Sequence, residues 1–196
     1  MNKFDSLREK YEKIIYDKYE IIDSESIIIK YTFTIPGLVT FEPTLEIAKN
    51  CLNNENINQI LLNDIVFKLG LIELISYYKC ACPKVIEIKC GYLDSFEQSW
   101  FKKLFFNGLG EFFYKNDISI TEEDLFEFII NGEKAIIENI DYNGSGNLIP
   151  IGGGKDSLVT LELLKDYDNK CFIINPKDTH LNCINEEYYI IKRTID

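Results

Sequence analysis

One histidine, one methionine, one tryptophan and five prolines are found in 196 residues, and each shortage removes a class of explanation. His180 stands alone in a polar stretch, where a histidine is normally just solvated, and it is assigned no role. Apolar runs such as Ile27–Ile29 and Ile190–Ile191 fall far short of the ~20 residues that cross a bilayer, so no membrane partner is expected. Residues 1–18 are charged throughout and lack the apolar segment of a signal peptide, which points to a cytoplasmic protein. Basic residues are also scarce: 21 Lys and Arg face 32 Asp and Glu, a formal charge of −11. The largest basic groupings are the pairs Lys102-Lys103 and Lys192-Arg193, too small for a nucleic-acid footprint on an acidic chain. The six cysteines, Cys51, Cys80, Cys82, Cys90, Cys171 and Cys183, have no framework spacing and read as reduced, mostly buried thiols. Cys80-Ala-Cys82 has neither a second cysteine pair nor a histidine to complete a metal site, so no metal is expected.

What the chain does have is apolar bulk. Hydrophobic residues make up 46%, with 13 Phe, 12 Tyr and 1 Trp, enough to bury a core. Leu7, Tyr11, Ile14, Ile15 and Lys18 follow a helical stripe and predict a first helix. Ser26–Ile35 is rich in β-branched and aromatic residues, ends at Pro36-Gly37 and predicts a strand, with weaker extended character over Leu38–Ile47. Apolar residues recur at helical spacing over Ile57–Tyr78 on a nearly all-round apolar surface, as in a buried central helix. Lys84–Lys89 alternates like a strand, Phe96–Tyr114 reads as a helix interrupted near Gly108 and Gly110, and Thr121 before three acids predicts the N-cap of another short helix. Tyr142-Asn-Gly-Ser-Gly-Asn147 is turn-forming and flexible in composition, and the boundary between two domains, residues 1–145 and 146–196, is placed there. Beyond it a strand (Leu148–Ile151), a glycine turn, a helix (Ser157–Lys165), a strand (Lys170–Ile174) and another strand (Tyr188–Lys192) predict a parallel α/β sheet.

The glycine turn carries the chemistry. Gly152-Gly153-Gly154-Lys155-Asp156-Ser157 lies between a strand and a helix, where backbone N–H groups and the helix dipole can meet an anion. Glycines let the backbone pass close to phosphate oxygens. Lys155 offers a positive charge, Ser157 a hydroxyl, and Asp156 could orient the loop or help hold the Mg²⁺ of a nucleotide. A Walker A loop would need Ser or Thr directly after the lysine, where Asp156 stands, and a dinucleotide fingerprint would need glycine where Ser157 stands.

The pattern that does match is the PP-loop of enzymes that split ATP into AMP and pyrophosphate. Within that superfamily, Ile149-Pro-Ile-Gly-Gly-Gly-Lys-Asp-Ser-Leu-Val-Thr-Leu-Glu-Leu-Leu164 resembles the ATP-dependent UDP-N-acetylmuramoyl-L-alanyl-L-glutamate epimerases of peptidoglycan synthesis. So do Phe33-Thr-Ile-Pro-Gly37, Phe41-Glu-Pro43, Gly70-Leu-Ile-Glu-Leu-Ile-Ser-Tyr-Tyr-Lys79, Gly108-Leu-Gly-Glu-Phe-Phe-Tyr114 and Arg193-Thr-Ile-Asp196. The resemblance implies inversion of the terminal L-Glu of UDP-MurNAc-L-Ala-L-Glu to D-Glu with release of AMP and diphosphate. Adenylating the α-carboxylate removes the charge that opposes an adjacent carbanion and makes the Cα proton easier to abstract. It also implies ATP and Mg²⁺ as cofactors, with Gly152, Gly153, Gly154, Lys155, Asp156 and Ser157 binding the nucleotide. Only 196 − 146 = 50 residues follow the boundary, fewer than a doubly wound nucleotide domain uses. The chain is therefore read as the N-terminal part of a longer or split protein, partnered by a separate C-terminal half.

Candidates for substrate handling are Glu73, Lys79, Glu111 and Tyr114, which lie inside the family-like segments. Glu73 and Lys79 interrupt an apolar helix, where a buried charge needs a partner, and an internal ion pair or an exposed helix face is the competing explanation. The expected fold class is α/β overall, an α+β N-terminal domain followed by the first strand–helix–strand part of a parallel PP-loop domain. Two rival functions stand beside the epimerase: another PP-loop ATP pyrophosphatase of the tRNA-modifying or amide-synthetase type, and an inactive truncated fragment that serves only as a binding domain.

Overall fold

The computed structural model describes residues 3–49, 58–134, 144–177 and 188–195. Cys51, His180, Cys183 and the Tyr142-Asn143 part of the glycine-rich boundary segment lie outside them. Among the described residues, five helices and nine strands follow in chain order: α1 (Lys3–Lys10), β1 (Lys13–Asp23), β2 (Ser26–Ile35), β3 (Val39–Phe41), β4 (Thr44–Ala48), α2 (Gln59–Tyr78), β5 (Val85–Ile88), α3 (Ser95–Gly108), α4 (Gly110–Lys115), β6 (Glu127–Ile130), β7 (Asn147–Pro150), α5 (Lys155–Leu164), β8 (Asn169–Ile174) and β9 (Tyr188–Thr194). All strands join one mixed sheet in the order β6-β5-β1-β2-β4-β9-β8-β7, with β3 hydrogen-bonded to β2. β1, β5 and β6 are parallel, β1-β2-β4-β9 alternate in direction, and β9, β8 and β7 are parallel again. The protein is thus mixed α/β, and the β4–β9 pairing carries the sheet across the sequence boundary near residue 146.

The first helix is shorter than its apolar stripe predicts. α1 ends at Lys10, and Ile14, Ile15 and Lys18 belong to β1. β-Branched and aromatic side chains fit a pleated surface better than a helix. Here Ile14 and Tyr16 point to one face and are fully buried, so the two-residue period wins over the helical one. Arg8 anchors α1 by donating from Nη2 to the carbonyls of Asp124 and Leu125 at 3.0 and 2.9 Å.

α2 lies on β1 and β2 and forms the centre of the core. Asn58 caps it, its side chain accepting from the N–H groups of Ile60 and Leu61. At Gly70 the helix comes so close to the sheet that a Cβ would stand 2.0 Å from the Tyr16 hydroxyl and 2.7 Å from the Tyr31 ring. That approach lets the Tyr16 and Tyr31 hydroxyls donate to the carbonyls of Phe67 and Val66 at 3.4 and 3.2 Å, satisfying polar groups that burial would otherwise strand. Phe33 packs edge-on against Tyr16 and stacks on Tyr31.

α3 starts with a capping box, Asp94 and Glu97 each bonding the other's backbone N–H, and gives way to α4 around Leu109. Thr121 does not open a helix. Its hydroxyl accepts from the Asp124 N–H at 3.2 Å in a cap-like turn, but Leu125 and Phe126 are buried immediately afterwards and draw the chain into β6.

Candidate functional site

The glycine turn has the predicted strand–turn–helix form. After β7, the Ile151 N–H still donates to the Phe172 carbonyl of β8 at 2.9 Å, holding the chain on the sheet until the turn begins. The Gly152 N–H donates to Ser157 Oγ at 3.2 Å, closing the loop on itself. Gly153 has φ +73°, a left-handed conformation that favours glycine. Gly154 is the N-cap of α5 in extended conformation, with no side-chain hydrogen bond to the helix start. α5 begins at Lys155, two residues before the predicted Ser157, so Lys155 and Asp156 occupy its first turn. Both are exposed, as are all three glycines. A Cβ built on Gly152 or Gly154 meets nothing within 4 Å, so the protein's own packing requires no glycine at either place. Ile149, Ile151, Leu161, Cys171 and Ile173 form the small core that holds β7, α5 and β8 together.

The other candidates divide. Glu73 is buried and fully engaged: Arg193 of β9 donates from Nε to both carboxylate oxygens at 3.0 and 2.9 Å and from Nη2 to one of them. The internal ion pair is what the structure gives for this residue. Asn175, the residue after β8, holds Arg193 from behind by exchanging hydrogen bonds with its backbone N–H and carbonyl at 2.8 and 2.7 Å. Lys79 and Glu111 are brought together, since both line a shallow groove of about 260 Å³ with Lys115 and Asn116. Glu111 pairs with Lys115 one turn along α4, Lys79 is exposed at the end of α2, and Tyr114 is exposed beside them. Because β7 runs opposite to β5, Lys79 and the glycine turn lie along the same edge of the sheet. α2 packs on β1 and β2, however, and four strand spacings separate β2 from β7, on the order of 20 Å. The described residues do not bring the two groups into contact.

Of the thiols, Cys80 is exposed and Cys82 is buried. Burial pushes the Cys82 thiol up to about 12, and that of Cys90 likewise, so both stay protonated near neutral pH and make poor nucleophiles or bases.

Sequence reading missed two features. Arg193 lies in a short segment whose strand period gives no sign of a partner 120 positions away. A cavity of about 520 Å³ also opens at the far edge of the sheet, where β5 and β6 end, bordered by Tyr19, Asn63, Lys68, Cys90 and Tyr92. Its lining comes from four separate segments, completed by Glu133 and Lys134 after β6, and only the folded sheet with α2 across β1 assembles it.

The fold is a mixed α/β sheet with a strand–glycine turn–helix at one end. The sequence is more specific: residues 5–196 match the MurL N-terminal domain, and the chain belongs to that family. It is similar to the UDP-N-acetyl-alpha-D-muramoyl-L-alanyl-L-glutamate epimerase of Xanthomonas oryzae pv. oryzae (strain MAFF 311018), 33% identical over 97 residues. The match covers 50% of this chain and 21% of the relative. No solved structure matches. Among the described residues, no helix is long and apolar enough to cross a membrane.

Proposed function

We propose that this chain supplies the N-terminal domain and the beginning of the ATP-binding domain of an ATP-dependent epimerase that inverts the terminal L-Glu of UDP-MurNAc-L-Ala-L-Glu. On this reading residues 146–196 are the first strand–helix–strand part of the PP-loop domain. The observation that carries the proposal is the turn itself, in a member of this family. Gly153 is held left-handed, Gly152 and Gly154 face open space, and α5 starts without a side-chain cap, so its first N–H groups and Lys155 are available to phosphate oxygens. On this reading the glycines admit the phosphates of ATP, Lys155 and the helix dipole offset their charge, and Asp156 would hold an accompanying Mg²⁺. When bound, the nucleotide would activate the glutamate α-carboxylate for loss of the Cα proton.

Among the described residues β7 is the last strand of the sheet, and α5 beside it exposes Leu158, Val159 and Leu163. A free strand edge next to an apolar helix face is what further strands and helices of a nucleotide domain would cover. That supports a complementing C-terminal half as the partner. The test is incubation with UDP-MurNAc-L-Ala-L-Glu, ATP and Mg²⁺ in D₂O, with the chain alone and with the remaining portion of a longer relative added. AMP formation together with deuterium at the glutamate α-carbon is expected, and Lys155→Ala should lose both. A folded, complemented protein that yields neither signal would sink the epimerase reading.

A further inference from the structure

β7, β8 and β9 are parallel, so their carboxyl ends share one edge of the sheet, and open α/β sheets take their ligands outside that edge. In order along it stand the glycine turn after β7, Asn175 after β8 and Arg193 near the end of β9. Two strand spacings separate β7 from β9, on the order of 10 Å. β9 is also two strands from β2, on which α2 lies, so Arg193 stands midway between the glycine turn and the strands beneath α2. Its guanidinium is held along one side. Glu73 accepts from Nε and Nη2, and Ser76 Oγ lies 3.4 Å from Nη2. Asn175, left-handed at φ +46°, fixes the arginine backbone. Nη1 makes no hydrogen bond among the described residues, and 24% of the side chain is exposed. An apolar pair would join two half-buried elements about as well as an ion pair does. A guanidinium fixed along one side, with an amino group left open on the ligand edge, is a preorganised donor to a carboxylate.

We propose that Arg193 determines specificity for the terminal glutamate, Nη1 donating to the side-chain carboxylate while the α-carboxylate lies at the nucleotide. This rests on the epimerase reading. The side-chain carboxylate fits better than the α-carboxylate, which has to keep an oxygen free to attack the α-phosphate and displace diphosphate. The spacing of roughly 10 Å from the turn leaves room for the phosphates and the α-carboxylate in between. Glu73 orients the guanidinium and shares its charge, so the contact is one charge-assisted hydrogen bond, enough to tell an acid from its amide.

The test compares UDP-MurNAc-L-Ala-L-Glu with the same compound ending in L-Gln, which keeps the shape of glutamate without its side-chain charge. AMP formation by the complemented protein would be measured across substrate concentration for the parent, for Arg193→Lys, and for Arg193→Met combined with Glu73→Leu, which removes both charges together. The parent is expected to prefer the glutamate compound by about tenfold or more in kcat/KM, chiefly through KM. Arg193→Lys should keep part of that preference, and the double variant should lose it while its far-UV circular dichroism stays that of the parent. An unchanged preference in either variant overturns the proposal, as does an equal loss of activity on both compounds, because the pair then does not read the glutamate side chain. A parent that turns over both compounds alike overturns it too, and each of these results leaves the epimerase reading standing. A parent that turns over neither compound removes the epimerase reading and this one with it.

Discussion

Residues 3–134 and 144–195 share a sheet but not a degree of burial. Among the described residues, the first region closes 24 buried side chains into one cluster around Tyr16, Tyr31, Phe33 and α2, while the second has five, around Leu161 and Cys171. The second region also leaves Leu148, Val159, Leu163 and Tyr167 largely exposed. The first can hold its shape through its own core. The second depends on what it is attached to, which is β4 through β9 and α2 through the Arg193–Glu73 pair. Functional chemistry is expected on the less buried side, because a glycine turn has to keep its N–H groups open to a ligand and cannot bury them in packing.

The contrast is broken most directly by equivalent truncations on the two sides. Leu74→Ala, at a fully buried position, should destabilise the protein by about 2–5 kcal/mol. Leu163→Ala, 74% exposed, should change it by no more than about 0.5 kcal/mol. Urea denaturation measures both, and a large cost at Leu163 would mean that α5 is covered in solution.

Next in size is the clasp between the regions. Arg193→Ala strands the Glu73 carboxylate in a buried place and should cost about 2–4 kcal/mol, less than the most deeply buried pairs because water still reaches the guanidinium. Arg193→Met combined with Glu73→Leu removes both charges and should recover most of that loss. Hydrogen exchange sharpens the comparison, since the single substitution should speed exchange in β7, α5 and β8 more than in β1 and β2.

A pH-dependent effect, absent near neutrality, follows from the thiols of the first region. Their folded pKa is raised by burial to about 12 from the ordinary 9.0, so the unfolded chain loses these protons first. Their contribution to stability is complete below about pH 9 and is lost as pH rises towards about 12, with a slope of at most about 1.4 kcal/mol per pH unit for each thiol. Denaturation midpoints measured between pH 8 and pH 11 should fall, and Cys90→Ala should flatten the fall. In native-state thiol labelling Cys80 should react first among the described thiols. Cys171, buried in the smaller core, should react ahead of Cys82.

Much of this was legible in the residues because the signals were local. The β-branched run of β2, the long apolar α2 and the glycine turn each state their own conformation within a few positions. β1 was misread because Leu7, Tyr11 and Ile14 satisfy a helical period, and only the pairing of Ile14 with Ile86 on β5 decides for the strand. Thr121 has a proper capping side chain, but burial of Leu125 and Phe126 outweighs the cap. The Arg193–Glu73 pair and the Lys79–Glu111 groove depend on how distant segments meet, and no periodicity encodes that. Glu73 was noticed as a charge out of place in an apolar helix, yet its partner could not be named without the sheet order.

The smallest expected effect separates the last two explanations for Lys79 and Glu111. Both are exposed, and the Glu111–Lys115 pair is a surface pair one turn apart, worth roughly 0.3–0.5 kcal/mol. Glu111→Ala and Lys79→Ala should therefore leave stability within about 0.5 kcal/mol of the parent, unlike any change at Glu73. Because folding is insensitive to these two side chains, a loss of epimerisation in a complemented protein could be assigned to substrate handling at their groove. Unchanged activity in both variants would remove the groove from the site and leave the glycine turn and Arg193 as the parts of this chain that meet the substrates.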